Sequence, residues 1–134
     1  LFLLLTIVLL TKRILLKKHV DTNLLFGVAT VYILAGILFG KLFYLQDFVL
    51  PESFTGIPPM VLGTRNMAAA TENQFNFLYY SFCTLSTLGL GDIAPKHHLA
   101  RTLTVVEAVF GQLYVATIVA KMVSVCKSSY LPRA

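Results

Sequence analysis

The chain has 134 residues, of which 57% are hydrophobic and only 13% charged, about half the charged share of an ordinary soluble domain. Eleven Lys and Arg against six Asp and Glu give a formal charge of +5, yet the basic residues stand at the ends of apolar runs instead of forming a stripe interleaved with aromatics, which argues for a membrane and against nucleic acid as the partner. Cys83 and Cys126 are too few for a disulfide framework or a cysteine-rich metal site, and neither Gly-x-Ser-x-Gly nor His-Glu-x-x-His is present to support an intramembrane enzyme.

Leu1 to Thr11 is an apolar run that as a helix reaches only about 16 Å, half a bilayer crossing. It has no initiator Met before it and no polar face, so it is expected to be the end of an earlier transmembrane helix in a longer protein, in preference to an interfacial helix. Lys12, Arg13, Lys17, Lys18 and His19 follow as a basic cytoplasmic turn that closes a first segment, residues 1–21. Their spacing is not the every-third-residue pattern of a voltage sensor. Thr22 to Gly40 carries no charge and the apolar pattern continues to Gln46, so residues 22–46 form the first complete span. Residues 47–71 contain Pro51, Gly56, Pro58, Pro59 and Gly63 and read as a connection outside the bilayer, folded into a cap by Phe48, Val49, Leu50, Met60, Val61 and Leu62.

Asn73 to Gly91 is also uncharged, but Asn73, Gln74, Asn76, Ser81, Thr84, Ser86 and Thr87 are too many polar groups for a lipid-facing helix. Thr71 and Gln74 form a capping-box pattern with Glu72 in the first turn, which places a helix over residues 72–86. Gly89 and Gly91 disfavour its continuation. A helix of about twelve to fourteen residues is too short to cross and is expected to enter the membrane and stop. Residues 102–126 form the second span, whose Glu107, Gln112 and Lys121 should face protein or water, and residues 127–134 form a tail.

The flanks test this arrangement. Lys12 to Lys18 and Lys121 to Arg133 both prefer the cytoplasm. Three crossings between them would put them on opposite sides; two crossings and a re-entrant segment put both inside. The acidic residues Asp47, Glu52, Glu72 and Asp92 then lie outside, where they gather cations. Bare backbone at membrane depth is tolerated only inside protein or beside water. A loop of alternating glycine and apolar residues offers a row of carbonyls, hard ligands for a cation that has shed its water, and Thr87 adds a hydroxyl. One loop cannot encircle an ion, so the chain must assemble around an axis; four copies is the arrangement known for carbonyl filters.

Thr87-Leu88-Gly89-Leu90-Gly91-Asp92 resembles the Thr-Val-Gly-Tyr-Gly-Asp signature of the potassium channel family, and Tyr79-Tyr80-Ser81-Phe82 resembles the aromatic pair that precedes it. Ile93-Ala94-Pro95 and Glu107 to Tyr114 are similar to bacterial two-transmembrane pore modules. The resemblance covers residues 23–124 and implies an all-α membrane protein in which two transmembrane helices flank a re-entrant pore helix and selectivity filter, residues 87–92, in a homotetramer, with a partial extra helix at the N-terminus. It implies K+ held at the backbone carbonyls of Thr87, Leu88, Gly89 and Leu90, Gly91 and Asp92 at the outer mouth, Tyr79 and Tyr80 as a cuff around the filter, a gating hinge at Gly111, and Gln112, Val115 and Val119 lining the cavity. Its further implications are a multi-pass protein of the cell membrane, no cofactor besides the permeant ion, and its own copies and membrane lipids as partners; any regulatory domain is expected outside this sequence.

Two residues depart from the family pattern. Leu90 replaces the usual Tyr and loses the hydroxyl that bonds to the cuff, which keeps a non-selective monovalent cation channel as the alternative to a potassium-selective one. Cys83 stands where some relatives have a Glu paired with the residue equivalent to Asp92. Gly111 is equally readable as a helix-packing glycine. Glu107 reads as a buried structural partner, and His97-His98 as part of an extracellular interfacial loop.

Overall fold

The computed structural model describes residues 2–16, 22–57 and 67–130. Its elements in chain order are α1 (Phe2–Leu16), α2 (Thr22–Val49), β1 (Phe54–Thr55), α3 (Met67–Leu85), β2 (Ala94–Pro95) and α4 (His98–Tyr130). Among the described residues, two helices are long and apolar enough to cross a membrane, over Leu25–Val49 in α2 and His98–Val123 in α4. The basic residues Lys17, Lys18 and His19 and the apolar Met60, Val61 and Leu62 lie outside the described residues.

The chain divides into two compact units. The first contains the described residues up to Ala35 and from Leu113 onward. Here α1 is packed: Ile7 and Ile14 are buried, and Ile14 sits against Gly27, where a Cβ would be only 3.6 Å from its Cδ1. Lys121 donates its ammonium to Ile14 O, a carbonyl in the last turn of α1. A lysine at that place fills an acceptor the helix leaves open and matches the negative end of its dipole. The Tyr114 hydroxyl donates to Val28 O at 2.8 Å, and the Tyr32 and Tyr114 rings lie 6.1 Å apart.

The second unit, Gly36–Gln112, has its own core of Phe43, Phe54, Phe77, Tyr80, Ile93 and Ala100. Four of its rings meet edge to face, with centroids 5.6 Å apart for Phe43 and Phe54, 5.1 Å for Phe43 and Tyr80, 5.1 Å for Phe54 and Phe77, and 5.3 Å for Phe54 and Tyr80. Such pairs contribute about 1 kcal/mol each beyond the area they bury. Phe54 is the keystone, because it brings the connection after α2 down onto α2 and α3 together. The expected cap residues Phe48 and Val49 are instead the exposed last turn of α2, which runs three residues past Gln46.

The connection is held by polar contacts as well. Asp47 Oδ1 accepts from Ser53 N at 3.1 Å, and Ser53 O accepts from Lys96 N at 2.8 Å and His97 N at 3.2 Å. Phe54 pairs with Pro95 and Thr55 with Ala94 in an antiparallel ribbon. Asp47 is therefore a buried structural acceptor and not one of an external set of cation-gathering carboxylates.

The ribbon carries a topological result. β1 precedes α3 and β2 follows the loop after it, so their pairing brings the chain back to the level it left. The segment between them is re-entrant, as expected, though the length argument does not hold: α3 has 19 residues and starts at Met67, five before Glu72. The Ala68-Ala69-Ala70 run extends the helix, since alanine is the strongest helix former, and Thr71 lies inside it instead of capping it. What keeps α3 from crossing is its polarity and the returning chain. The second span likewise starts early, at His98, because His97 Nδ1 accepts from Leu99 N at 3.3 Å and caps the helix.

Candidate functional site

The site is the loop from Ser86 to Asp92, and the end of α3 sets its course. Thr87 N donates to Thr84 O at 3.0 Å and Leu88 N to Cys83 O at 2.8 Å. These two bonds are the Schellman pattern, which requires a left-handed residue at the position of Thr87. Its φ is indeed +59°. Glycine is usual there; a β-branched residue at positive φ costs about 1–2 kcal/mol. Backbone strain of this kind gathers where function needs it.

Gly89 at +56° and Gly91 at +80° continue the pattern, with Leu88 and Leu90 between them on the negative side. Positive φ at every second residue, with ordinary φ between, turns successive carbonyls toward one side of the chain and the N–H groups toward the other. An ordinary strand would alternate them. A Cβ at Gly89 or Gly91 would meet nothing within 4 Å, and Leu88 and Leu90 are exposed, so in one chain the loop stands open.

The exit of the loop is braced. Gly56 at φ +85° lies so close to Asp92 O that a Cβ would come within 2.1 Å of it. The Tyr79 hydroxyl lies toward the Asp92 side chain and Cys83. Tyr79 thus meets the aspartate that Cys83, lacking a carboxyl, leaves without a glutamate partner. The two tyrosines part company because neighbours on a helix point about 100° apart. Tyr80 is buried in the aromatic core with its hydroxyl 2.8 Å from Thr104 Oγ1 on α4, so it ties α3 to α4 and does not stand beside Tyr79 at the loop.

The inner end of α3 abuts α4. Gly111 is buried where a Cβ would lie 2.5 Å from Leu85 O. Four residues earlier on both helices, Ser81 on α3 bonds Glu107 on α4. Gln112, Val115 and Val119 are exposed and spaced to share one face of α4. His97 and His98 stack edge to face at 6.0 Å, beside Arg101, whose Nε donates to Pro95 O at 3.3 Å.

Ser53, Gly56 and Ser81 were not singled out from the sequence. Gly56 was visible only as one of several breakers in a Pro- and Gly-rich stretch, and Ser81 only as one polar residue among many. The roles of Gly56 and Ser81 come from partners 36 and 45 residues away, Asp92 and Gly36, and that of Ser53 from Asp47, Lys96 and His97.

Two spanning helices around a re-entrant helix and an open, carbonyl-turned loop define a pore-loop membrane protein. A family model described as "Ion channel" matches residues 28–128, and the chain belongs to that family of two-transmembrane ion channels, which includes potassium-channel pore modules. Comparison with curated proteins found no match.

Proposed function

We propose that the protein is a potassium-selective channel, a homotetramer in which four copies of the Thr87–Gly91 loop surround one axis. The observation that carries this reading is the alternation of positive φ at Thr87, Gly89 and Gly91, which makes the backbone of the loop a one-sided row of acceptors. Rings of the carbonyls of Thr87, Leu88, Gly89 and Leu90 replace the water of a dehydrated cation. The Thr87 hydroxyl closes the innermost ring, and Asp92, held by Tyr79, sets a negative outer mouth. Gln112, Val115 and Val119 line the cavity below, and Gly111 sits where α4 bends or packs. The basic flanks support both ends of this sequence facing the cytoplasm of a cell membrane.

A non-selective cation channel is the competing reading, and Leu90 is the observation that favours it, since its exposed side chain has no hydroxyl to restrain the outer rings. Bi-ionic reversal potentials of the purified protein in planar bilayers, with K+ on one side and Na+ on the other, decide between them. A large potential of the sign set by K+ leaving its own side is the expected result; a potential near zero establishes the non-selective channel.

A further inference from the structure

Ser81 is fully buried one turn before the end of α3, and its hydroxyl oxygen has two oxygen partners: Gly36 O on α2 at 2.8 Å, and Glu107 Oε1 on α4. A serine hydroxyl carries one hydrogen. With Glu107 as a carboxylate, one of these oxygen pairs would face lone pair to lone pair with nothing between. Glu107 is itself fully buried, and its second oxygen, Oε2, has no partner. An ionised group in that position would hold charge away from water with one acceptor unfilled. A hydrogen on Glu107 Oε1 resolves the first and removes the buried charge, leaving Oε2 a neutral carbonyl: the carboxyl donates to Ser81 Oγ, Ser81 donates to Gly36 O, and each oxygen pair contains one hydrogen.

Among the described residues, the groups of the packed helices offer Glu107 no counter-charge. On α3, the hydroxyl of Tyr79 is directed at Asp92, that of Tyr80 is bonded to Thr104, and Cys83 is a free thiol. On α2 within this unit, Lys41 is bonded to Gln74 Oε1 at 2.9 Å at an exposed position, Asp47 accepts from Ser53 N, and the Tyr44 ring meets Phe77. On α4, Arg101 is turned to Pro95 O.

We propose that Glu107 is a positioning residue, held protonated, whose carboxyl donates through Ser81 to Gly36 and so fixes α3, and the loop it carries, to both spanning helices. The joint is tight on each side. A Cβ at Gly36 would lie 2.6 Å from the Phe82 ring, and one turn beyond Ser81 and Glu107 the Leu85 carbonyl meets Gly111. A shift of α4 is therefore transmitted to the last turn of α3, from which Thr87 hangs. This consequence rests on the channel reading above; the placement of the proton does not.

The test is infrared spectroscopy of the detergent-purified protein at neutral pH, in H2O and D2O, alongside K+ flux into liposomes. Native protein is expected to show a protonated-carboxyl C=O band that shifts in D2O and disappears in Glu107→Gln. Its absence from native protein overturns the proposal. Glu107→Gln keeps a donor at this place, so its flux should match native, whereas Glu107→Ala should lower flux about fivefold, the equivalent of one lost hydrogen bond. A glutamine variant as impaired as the alanine variant shows that an acceptor-only carboxylate is needed and overturns the proposal. Where Glu107→Ala fails to assemble, Ser81→Ala serves: the carboxyl loses its acceptor and its band should move to higher frequency, and an unmoved band refutes the bond. Absence of flux from native protein with the band present would sink the channel reading and leave the proton in place.

Discussion

Thr87 bears a strain that glycine would not, and it keeps the hydroxyl that glycine lacks. Gly89 and Gly91 sit in the same left-handed region with open space around them in the single chain, so an added methyl there acts through the backbone. Gly89→Ala or Gly91→Ala should cost about 1–2 kcal/mol in each chain and turn the neighbouring carbonyls out of line. K+ flux should be lost while the protein still assembles, measured by liposome flux and size-exclusion chromatography; full flux in either variant contradicts the alternation argument. Leu90 is 59% exposed, and in the proposed tetramer it packs against another copy. Packing is less directional than the tyrosine hydrogen bond of the family pattern, which leaves the outer rings softer. Leu90→Tyr should reduce Na+ leak in low external K+ by about fivefold, the worth of one hydrogen bond. Reversal potentials at falling external K+ measure it, and an increased leak with an intact assembly refutes the idea.

Between elements, glycines mark places where backbone approaches backbone, most closely at Gly56 and Gly111. Gly56 faces Asp92 O at a distance no side chain tolerates, and neither partner is the tip of a flexible side chain. Gly56→Ala combines a left-handed methyl with a backbone clash and should destabilise the fold by about 3 kcal/mol. Thermal melting of the solubilised protein reports this, and a variant as stable as native would show that the ribbon gives way freely. Gly111 was readable from sequence as either a hinge or a packing glycine. The 2.5 Å between its Cβ position and Leu85 O gives it a packing role in this conformation. Gly111→Ala gains about 1 kcal/mol of helix propensity against an overpacking cost of about 1–3 kcal/mol. A net loss of about 1 kcal/mol of stability is expected, read by the same melting experiment, and an unchanged midpoint with altered open probability would return Gly111 to the hinge role alone.

At the scale of the whole molecule, the open loop is the decisive feature. Lipid cannot satisfy its backbone groups, and the exposed Leu88 and Leu90 flank it, so a lone chain is a poor occupant of a bilayer. Native mass spectrometry in mild detergent should give four copies; a stable monomer that still conducts would remove the need for a shared axis. The ribbon of β1 and β2 also gives the count of crossings a second basis, independent of charge, because it returns the chain to its starting level after α3; which side that is rests on the basic flanks. External thiol labelling of single cysteines in a cysteine-free background should reach Pro95→Cys and not Lys127→Cys.

What the sequence by itself determined is what composition and period encode locally: two spans, a polar segment unfit to cross, two glycines at filter spacing, and a charge pattern that allows two crossings. Those properties depend on residues next to each other, or on their transfer between water and lipid, and so are legible along the chain. Tertiary structure alone decided which residues meet across it. Phe54 replaced Phe48 and Val49 as the cap anchor, Tyr80 turned to Thr104 while Tyr79 took Asp92, Glu107 found Ser81, and Asp47 was spent on Ser53. The physical reason is common to all of them. A helix assigns each side chain a direction, but the partner in that direction is set by a packing between segments 6 to 45 residues apart, and hydrogen-bond pairing and close approach at glycine carry no signal in the order of residues.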